Sequence, residues 1–368
     1  TCKCIFGTSF CSSINAKFGV MVNSGSSANL VLIGALKKYF DWEDEDEVLV
    51  SVVGFPTTVA PIYQHRLKPV FVDIEWDTLN FDLVELESKI TSKTKAIFVS
   101  PVLGNPPDMD RISELCESNG IKLILDGCDS LGSTWDGKEL SEFAVATSCS
   151  FYPAHHITTG EGGFVSSNEQ ELITIARSMA WWGRDCYCVG RANLLPKGSC
   201  GKRFGHWLEG QDIEVDHKYV FSHMGYNLKP LDIQGAIGRE QLMKLDLIHS
   251  ARRLNKHRVE KIFEQYVPEL GKVKVHKKAN PSWFGVPFVC SDEQKKKMIV
   301  HHLESNRIQT RNYFAGNLLL HPGYQELDDW NKYPHANRVL KEVFFVGCSP
   351  TFTEESFVHL ESVLEKIG

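Results

Sequence analysis

From residue 20 to about residue 167 the sequence alternates short apolar runs with stretches of helical period, and that alternation admits few folds. Strands are expected at 47–53, 69–73, 95–100, 122–125, 147–151 and 163–166. Each run is rich in Val, Ile, Leu or Phe and bounded by Gly, Pro or Asp. Helices fill the gaps, and 108–119 shows why. Asp108 can cap, Ile112, Leu115 and Cys116 share one face, and Gly120 can end the helix. An α/β domain with a mainly parallel sheet follows. Beyond it, a Gly-rich, Cys-containing insertion of about 185–210 is too long for a plain connector. A long helix is expected from 230 to about 263, leading into a smaller α+β domain with a strand at 282–290 and helices at 292–305 and 354–367. The expected division is a large domain, 1–245, and a small C-terminal domain, 246–368.

The 368 residues, 42% hydrophobic and 23% charged, suffice for a core of that size. Forty basic against 46 acidic residues leave a formal charge of -6, which argues against a nucleic-acid surface. The longest apolar stretches, near 48–55 and 95–103, fall far short of the roughly 20 residues a membrane helix needs. The chain is expected to be cytoplasmic, its eleven cysteines being thiols or metal ligands and not a disulfide framework. It begins at Thr1, and 1–13 has neither the basic start nor the apolar core of a secretory signal. That beginning reads as a fragment or processed chain, with Cys2, Cys4 and Cys11 incidental in a frayed terminus.

Three groups of residues carry chemistry. Asn23-Ser24-Gly25-Ser26-Ser27-Ala28-Asn29 opens a helix, so NH groups and hydroxyls converge where an anion binds. Asp126 ends an expected strand, where ligands of open α/β sheets are found, and taken alone such an aspartate reads equally well as a helix cap. The third is Ser150-Phe151-Tyr152-Pro153-Ala154-His155-His156-Ile157-Thr158-Thr159-Gly160-Glu161-Gly162-Gly163. Two adjacent histidines without context would be filler. Here the segment resembles the active-site motif of pyridoxal-phosphate enzymes that act on nucleotide-linked sugars, with His155 where the motif has lysine. No lysine occurs between Lys138 and Lys197. An amine can capture an aldehyde covalently; imidazole cannot, but with an ordinary pKa near ~6.5 it can take a proton.

Together these pieces resemble the sugar aminotransferase and dehydratase branch of fold-type I pyridoxal-phosphate enzymes, over nearly the whole chain. The resemblance implies an aspartate-aminotransferase-like fold and a homodimer. It implies that Ser26, Ser27 and Ser150 hold the cofactor phosphate and that Phe55 covers the ring. Asp126 would bind the pyridine nitrogen, and Asn227 would reach the phosphate of the neighbouring subunit. Two groups in this branch carry histidine for lysine, and the cysteines divide them. Between Cys128 and Cys186 lie 57 residues, between Cys186 and Cys188 one, and between Cys188 and Cys200 eleven. The first two spacings agree with those of the CDP-4-keto-6-deoxyglucose 3-dehydrases, which bind a 2Fe-2S cluster. The third is four residues longer, so Cys200 is the least secure ligand. Spacing alone would favour structural zinc, whereas Cys128, two residues beyond Asp126, suits electron delivery near the cofactor.

Asp129, Tyr152 and Phe284 also match the dehydrase pattern; Asp129 would lie at the cofactor, Tyr152 and Phe284 on the sugar side. Arg311 and Asn317 would meet the nucleotide-sugar. The implied reaction is C3 dehydration of a CDP-4-keto-6-deoxyhexose with pyridoxamine or pyridoxal phosphate, in 3,6-dideoxysugar and O-antigen synthesis. His155 would remove a proton from the cofactor's C4′ carbon, and a flavin and iron-sulfur NAD(P)H reductase would supply two electrons. The alternatives are a cluster-free GDP-4-keto-6-deoxymannose 3-dehydratase, which needs glutamate and no reductase, and a catalytically silent relative whose short N-terminus leaves the site incomplete.

Overall fold

The computed structural model describes residues 2–186 and 202–367. It contains two compact units, one of Thr1–Glu43 with Val145–Met243, the other of Asp44–Ala144 with Lys244–Gly368.

In the first unit, strand Gly163–Ser167 lies between strands Phe18–Val22 and Ala146–Ser150 and is antiparallel to both. Both Ala146–Ser150 and Gly163–Ser167 are buried along their whole length. Ser148, fully buried in the first of these strands, is paired: its Oγ donates to Asn29 Oδ1 at 2.5 Å from within the core. Helix Gly25–Tyr39 packs against both strands and against helix Gln170–Ala180.

The terminus expected to fray is instead a helix, Cys2–Ser13. Phe6 and Phe10, one turn apart, are fully buried and meet Phe151 edge-on at 5.2 and 5.0 Å. Its cap comes from far along the chain, because the Asp232 carboxylate accepts from the Cys2 and Lys3 N–H groups at 3.4 and 3.2 Å. Gly235 and Gly238 of helix Asp232–Leu242 allow the close approach. A Cβ at Gly235 would lie 2.3 Å from Lys3 Cα, and one at Gly238 2.8 Å from the Phe6 ring.

In the second unit, four parallel strands run in the order Lys122–Asp126, Thr94–Val99, Glu47–Ser51, Lys68–Val72. The expected helix is present as Met109–Asn119, with Asp108 accepting from Arg111 N–H at 3.1 Å. It ends on Gly120 at φ 66°, a left-handed conformation that glycine adopts at little cost. A four-stranded antiparallel sheet of Gly271–Lys272, Gly285–Val289, Val343–Gly347 and Thr310–Asn312 carries helices Glu293–Ser305 and Pro334–Glu342. The single helix expected over 230–263 is two helices, Asp232–Leu242 and Leu245–Tyr266. The helical path breaks at Lys244, whose φ and ψ are -104° and 3°.

Candidate active site

The histidine motif is a connection with both ends fixed. Ser150 and Gly163, its first and last residues, face each other in register across two antiparallel strands. Phe151 N–H donates to Gly162 O at 2.9 Å, and Thr159 N–H and Thr158 Oγ1 both reach Phe151 O at 3.0 Å. The two threonines therefore fold the connection back onto its own start. His155 N–H donates to Tyr152 O at 3.0 Å, and the two rings meet edge-on at 6.4 Å. His156 is buried, with 3% of its surface exposed, whereas His155 is half-buried. Of the adjacent pair, His155 is the imidazole a ligand can reach.

The closing glycines have a steric cause. A Cβ at Gly163 would sit 2.0 Å from the Ser24 carbonyl oxygen, and one at Gly162 2.2 Å from Thr159 Oγ1. Real side chains tolerate neither approach. Gly163 thus lets the strand end press on the turn that opens helix Gly25–Tyr39. In that turn Ser24 is extended (φ -164°, ψ 163°), and its Oγ accepts from Ser27 N–H at 3.1 Å while donating to Ser27 Oγ at 2.9 Å. Ser27, accepting there, keeps its own hydroxyl proton for an anion. Ser26 is exposed beside it, and no acidic residue occupies the first turn. Positive helix dipole, hydroxyls and absence of carboxylates suit a phosphate. Ser150 is buried in the same unit, its Oγ accepting from Tyr152 N–H at 3.3 Å. Asn227 is exposed, and its neighbour Leu228 is tied to the cradle by Asn23 N–H donating to Leu228 O at 2.9 Å.

In the second unit, Asp126 closes its strand with 4% exposure. Its Oδ2 accepts from Thr58 Oγ1 at 2.7 Å and its Oδ1 from Cys128 N–H at 3.2 Å. An anionic carboxylate so presented suits a protonated pyridine nitrogen. Phe55, just before helix Pro56–Gln64, is 52% exposed, as a residue that covers a ligand ring must be. Asp129 is half-buried and accepts from Leu103 N–H at 3.4 Å. Burial first, then the charge of Asp126, pushes its carboxyl up to about 7, against the opposing pull of Leu103 N–H and Arg252. Leu103, at φ 55°, also accepts from Phe284 N–H at 3.0 Å, so one strained residue joins Asp129 to Phe284. The Phe284 ring lies 6.2 Å from Phe314, itself 6.1 Å from Phe55. Neither Leu103 nor Phe314 carries a sequence signal, since their roles arise from tertiary placement.

The raised carboxyl has a consequence for stability. Between an ordinary carboxylate value and about 7 the folded protein holds a proton at Asp129 that the unfolded chain releases, so stability falls as pH rises through that window. Asp129→Asn removes the penalty. In thermal melts of cofactor-free protein it should raise the melting temperature at pH 8 and gain little at pH 4; an equal shift at both would argue against the assignment.

Arg311 is exposed, its guanidinium donating to Thr310 O at 2.7 Å. Asn317 is fully buried: its amide donates to Asn337 Oδ1 at 2.6 Å, and its Oδ1 accepts from Leu319 N–H at 2.9 Å. Its side chain is committed to the interior. Cys128 is half-buried and Cys186 buried, while Cys188 and Cys200 lie outside the described residues. Among the described residues no three His, Cys, Asp or Glu side chains form a group that could hold a metal ion.

Residues 4–367 match the model of the DegT/DnrJ/EryC1/StrS aminotransferase family. The chain is 38% identical over 357 residues to the dTDP-4-dehydro-2,6-dideoxy-D-glucose 3-dehydratase of Saccharopolyspora spinosa, covering 95% of this chain and 76% of that one. It is 37% identical over 355 residues to the lipopolysaccharide biosynthesis protein RfbH of Salmonella typhimurium, covering 93% and 79%. Its structure matches that of the E. coli GDP-4-keto-6-deoxy-D-mannose-3-dehydratase with bound hydrated PLP at a TM-score of 0.84 and 31% identity, over 99% and 92% of the two chains. The fold is the aminotransferase-like fold expected from the sequence.

Proposed function

The chain belongs to the DegT/DnrJ/EryC1/StrS aminotransferase family of pyridoxal-phosphate enzymes acting on nucleotide sugars, and from that premise we propose that it is a 3-dehydratase of a nucleotide-linked 4-keto-6-deoxyhexose. One observation carries the choice of dehydration over amino transfer. The half-buried, reachable His155 stands where a lysine would link the cofactor, in a motif pinned at Ser150 and Gly163.

The residues fit the cofactor. Ser26, Ser27 and Ser150 would hold its phosphate, Asp126 its pyridine nitrogen, and Phe55 would lie over its ring. Bound pyridoxamine phosphate supplies an amine for the C4 ketone and a ring that accepts electrons. His155 would remove the proton at the cofactor's C4′ carbon, acting as base without competing as a nucleophile. Asp129 would lie at the cofactor, Tyr152 and Phe284 would lie on the sugar side, and Arg311 would offer its exposed guanidinium to the diphosphate. Buried Asn317 supports the fold nearby. Residues 1–245 form the cofactor-binding domain and 246–368 the small domain in this reading.

The finer reading is a CDP-linked substrate, a 2Fe-2S cluster on Cys128, Cys186, Cys188 and Cys200, and electrons from a flavin and iron-sulfur NAD(P)H reductase. The two cysteine spacings shared with the iron-sulfur dehydrases support it, as does Cys128 two residues beyond Asp126. The second reading, a cluster-free enzyme using a GDP-linked sugar and glutamate, is supported by likeness to the E. coli enzyme. A cytoplasmic homodimer accompanies either. Among the described residues no helix is long and apolar enough to cross a membrane. Met224, Leu231, Ile233 and Met243 expose 98, 68, 63 and 72% of their surface within one unit, as a face covered by a second copy would.

Turnover tests these choices. Protein loaded with pyridoxamine phosphate is offered the CDP-, dTDP- and GDP-linked 4-keto-6-deoxyhexoses, each with glutamate or with a reductase and NADH. C3 deoxygenation of the CDP sugar only with reductase supports the finer reading; of the GDP sugar with glutamate, the second. Transfer of an amino group to the sugar would overturn both.

A further inference from the structure

We infer that Thr58 is a positioning residue that fixes the direction in which the Asp126 carboxylate faces the cofactor's pyridine nitrogen. The inference rests on the reading of Asp126 as that nitrogen's partner. Thr58 and Asp126 are 3 and 4% exposed, and Thr58 Oγ1 donates to Asp126 Oδ2 at 2.7 Å, a distance typical of a hydroxyl on a carboxylate. The bond spans 68 positions in sequence. A helical threonine ordinarily turns its hydroxyl back to a carbonyl of the preceding turn, so this hydroxyl is directed by tertiary structure.

The geometry defines the carboxylate twice. Oδ2 is held by Thr58 and Oδ1 by Cys128 N–H, one donor on each oxygen, which fixes rotation about the carboxylate axis. Thr58 sits in the first turn of helix Pro56–Gln64, its N–H donating to Phe55 O at 3.1 Å. One turn of chain therefore places both the ring that covers the cofactor and the hydroxyl that aims its counter-ion.

Thr58→Val removes the hydroxyl and keeps the shape, Thr58→Ser keeps the hydroxyl, and Asp126→Asn is the reference. The readouts are the dissociation constant of pyridoxamine phosphate, from its fluorescence, and the 15N signal of the labelled pyridine nitrogen in the bound state. Thr58→Val should bind about tenfold more weakly, the loss of one hydrogen bond to a charged group, and its nitrogen signal should move toward that of unprotonated pyridine. Thr58→Ser should match the wild type in both. If Thr58→Val binds and resonates as the wild type does while Asp126→Asn is impaired, the inference is wrong. Equal impairment of the Val and Ser variants, with lowered melting temperatures and an unmoved nitrogen signal, would also overturn it in favour of packing. An unimpaired Asp126→Asn would instead overturn the underlying assignment of Asp126.

Discussion

His155→Lys should capture pyridoxal phosphate as a covalent adduct that borohydride makes permanent, and should lose dehydration by roughly a thousandfold, within the range a general base contributes. The connection from Ser150 to Gly163 is held by its register pair and by the bonds of Thr158 and Thr159 to Phe151 O, so the substitution changes the side chain and not the path of the backbone. A half-buried site beside an exposed tyrosine can accommodate a longer flexible chain. The amine supplies the nucleophile that imidazole lacks for stable capture of an aldehyde. It is also protonated at neutral pH when unlinked, and so a poorer base. Intact-mass measurement after borohydride reads the first effect and turnover the second. A well-folded variant that forms no adduct would mean that position 155 does not face the cofactor's reactive carbon.

The second large effect concerns the cysteines. On the iron-sulfur reading, protein purified without oxygen should contain about two irons and two acid-labile sulfides per chain, the complement four thiolates hold, and Cys186→Ser should lose both along with the visible absorption. Cys186 is the informative position because the residues before it are fixed. Asp185 N–H donates to Val220 O at 3.0 Å, the Asp185 carboxylate meets His217 Nε2 at 3.1 Å, and Arg184 bridges to Phe221. A serine hydroxyl there is a hard, protonated group and a poor replacement for a soft thiolate. Zinc in place of iron would assign the cysteines a structural role, and absence of metal from folded protein would favour the glutamate-dependent reading.

What the sequence disclosed follows a physical division. Strands Glu47–Ser51, Lys68–Val72, Thr94–Val99 and Lys122–Asp126 are continuous apolar runs, which parallel strands buried on both faces must be, and they lie within two residues of expectation. Helix Met109–Asn119 carries its own cap and stop. Helix Cys2–Ser13 has no capping side chain of its own; its cap is Asp232, about 230 residues away, and its apolar Phe6 and Phe10 are only two positions among scattered polar residues and cysteines. The break at Lys244 leaves no Pro or Gly to mark it. At the site, the glycines of the histidine motif and the serines of the cradle are legible because backbone chemistry demands those residue types. Thr58, Leu103 and the interior commitment of Asn317 depend on contacts made only in the folded units, and sequence spacing does not encode them.

Breakage of the C3–O bond of a nucleotide-linked 4-keto-6-deoxyhexose under the action of His155 is read directly by mass spectrometry of the sugar after incubation with the protein and pyridoxamine phosphate in 18O-labelled water. The predicted result is exchange of label into the C3 hydroxyl or net loss of that oxygen, abolished in His155→Asn. An amino sugar that retains its original C3 oxygen, or exchange unaffected by His155→Asn, would contradict it.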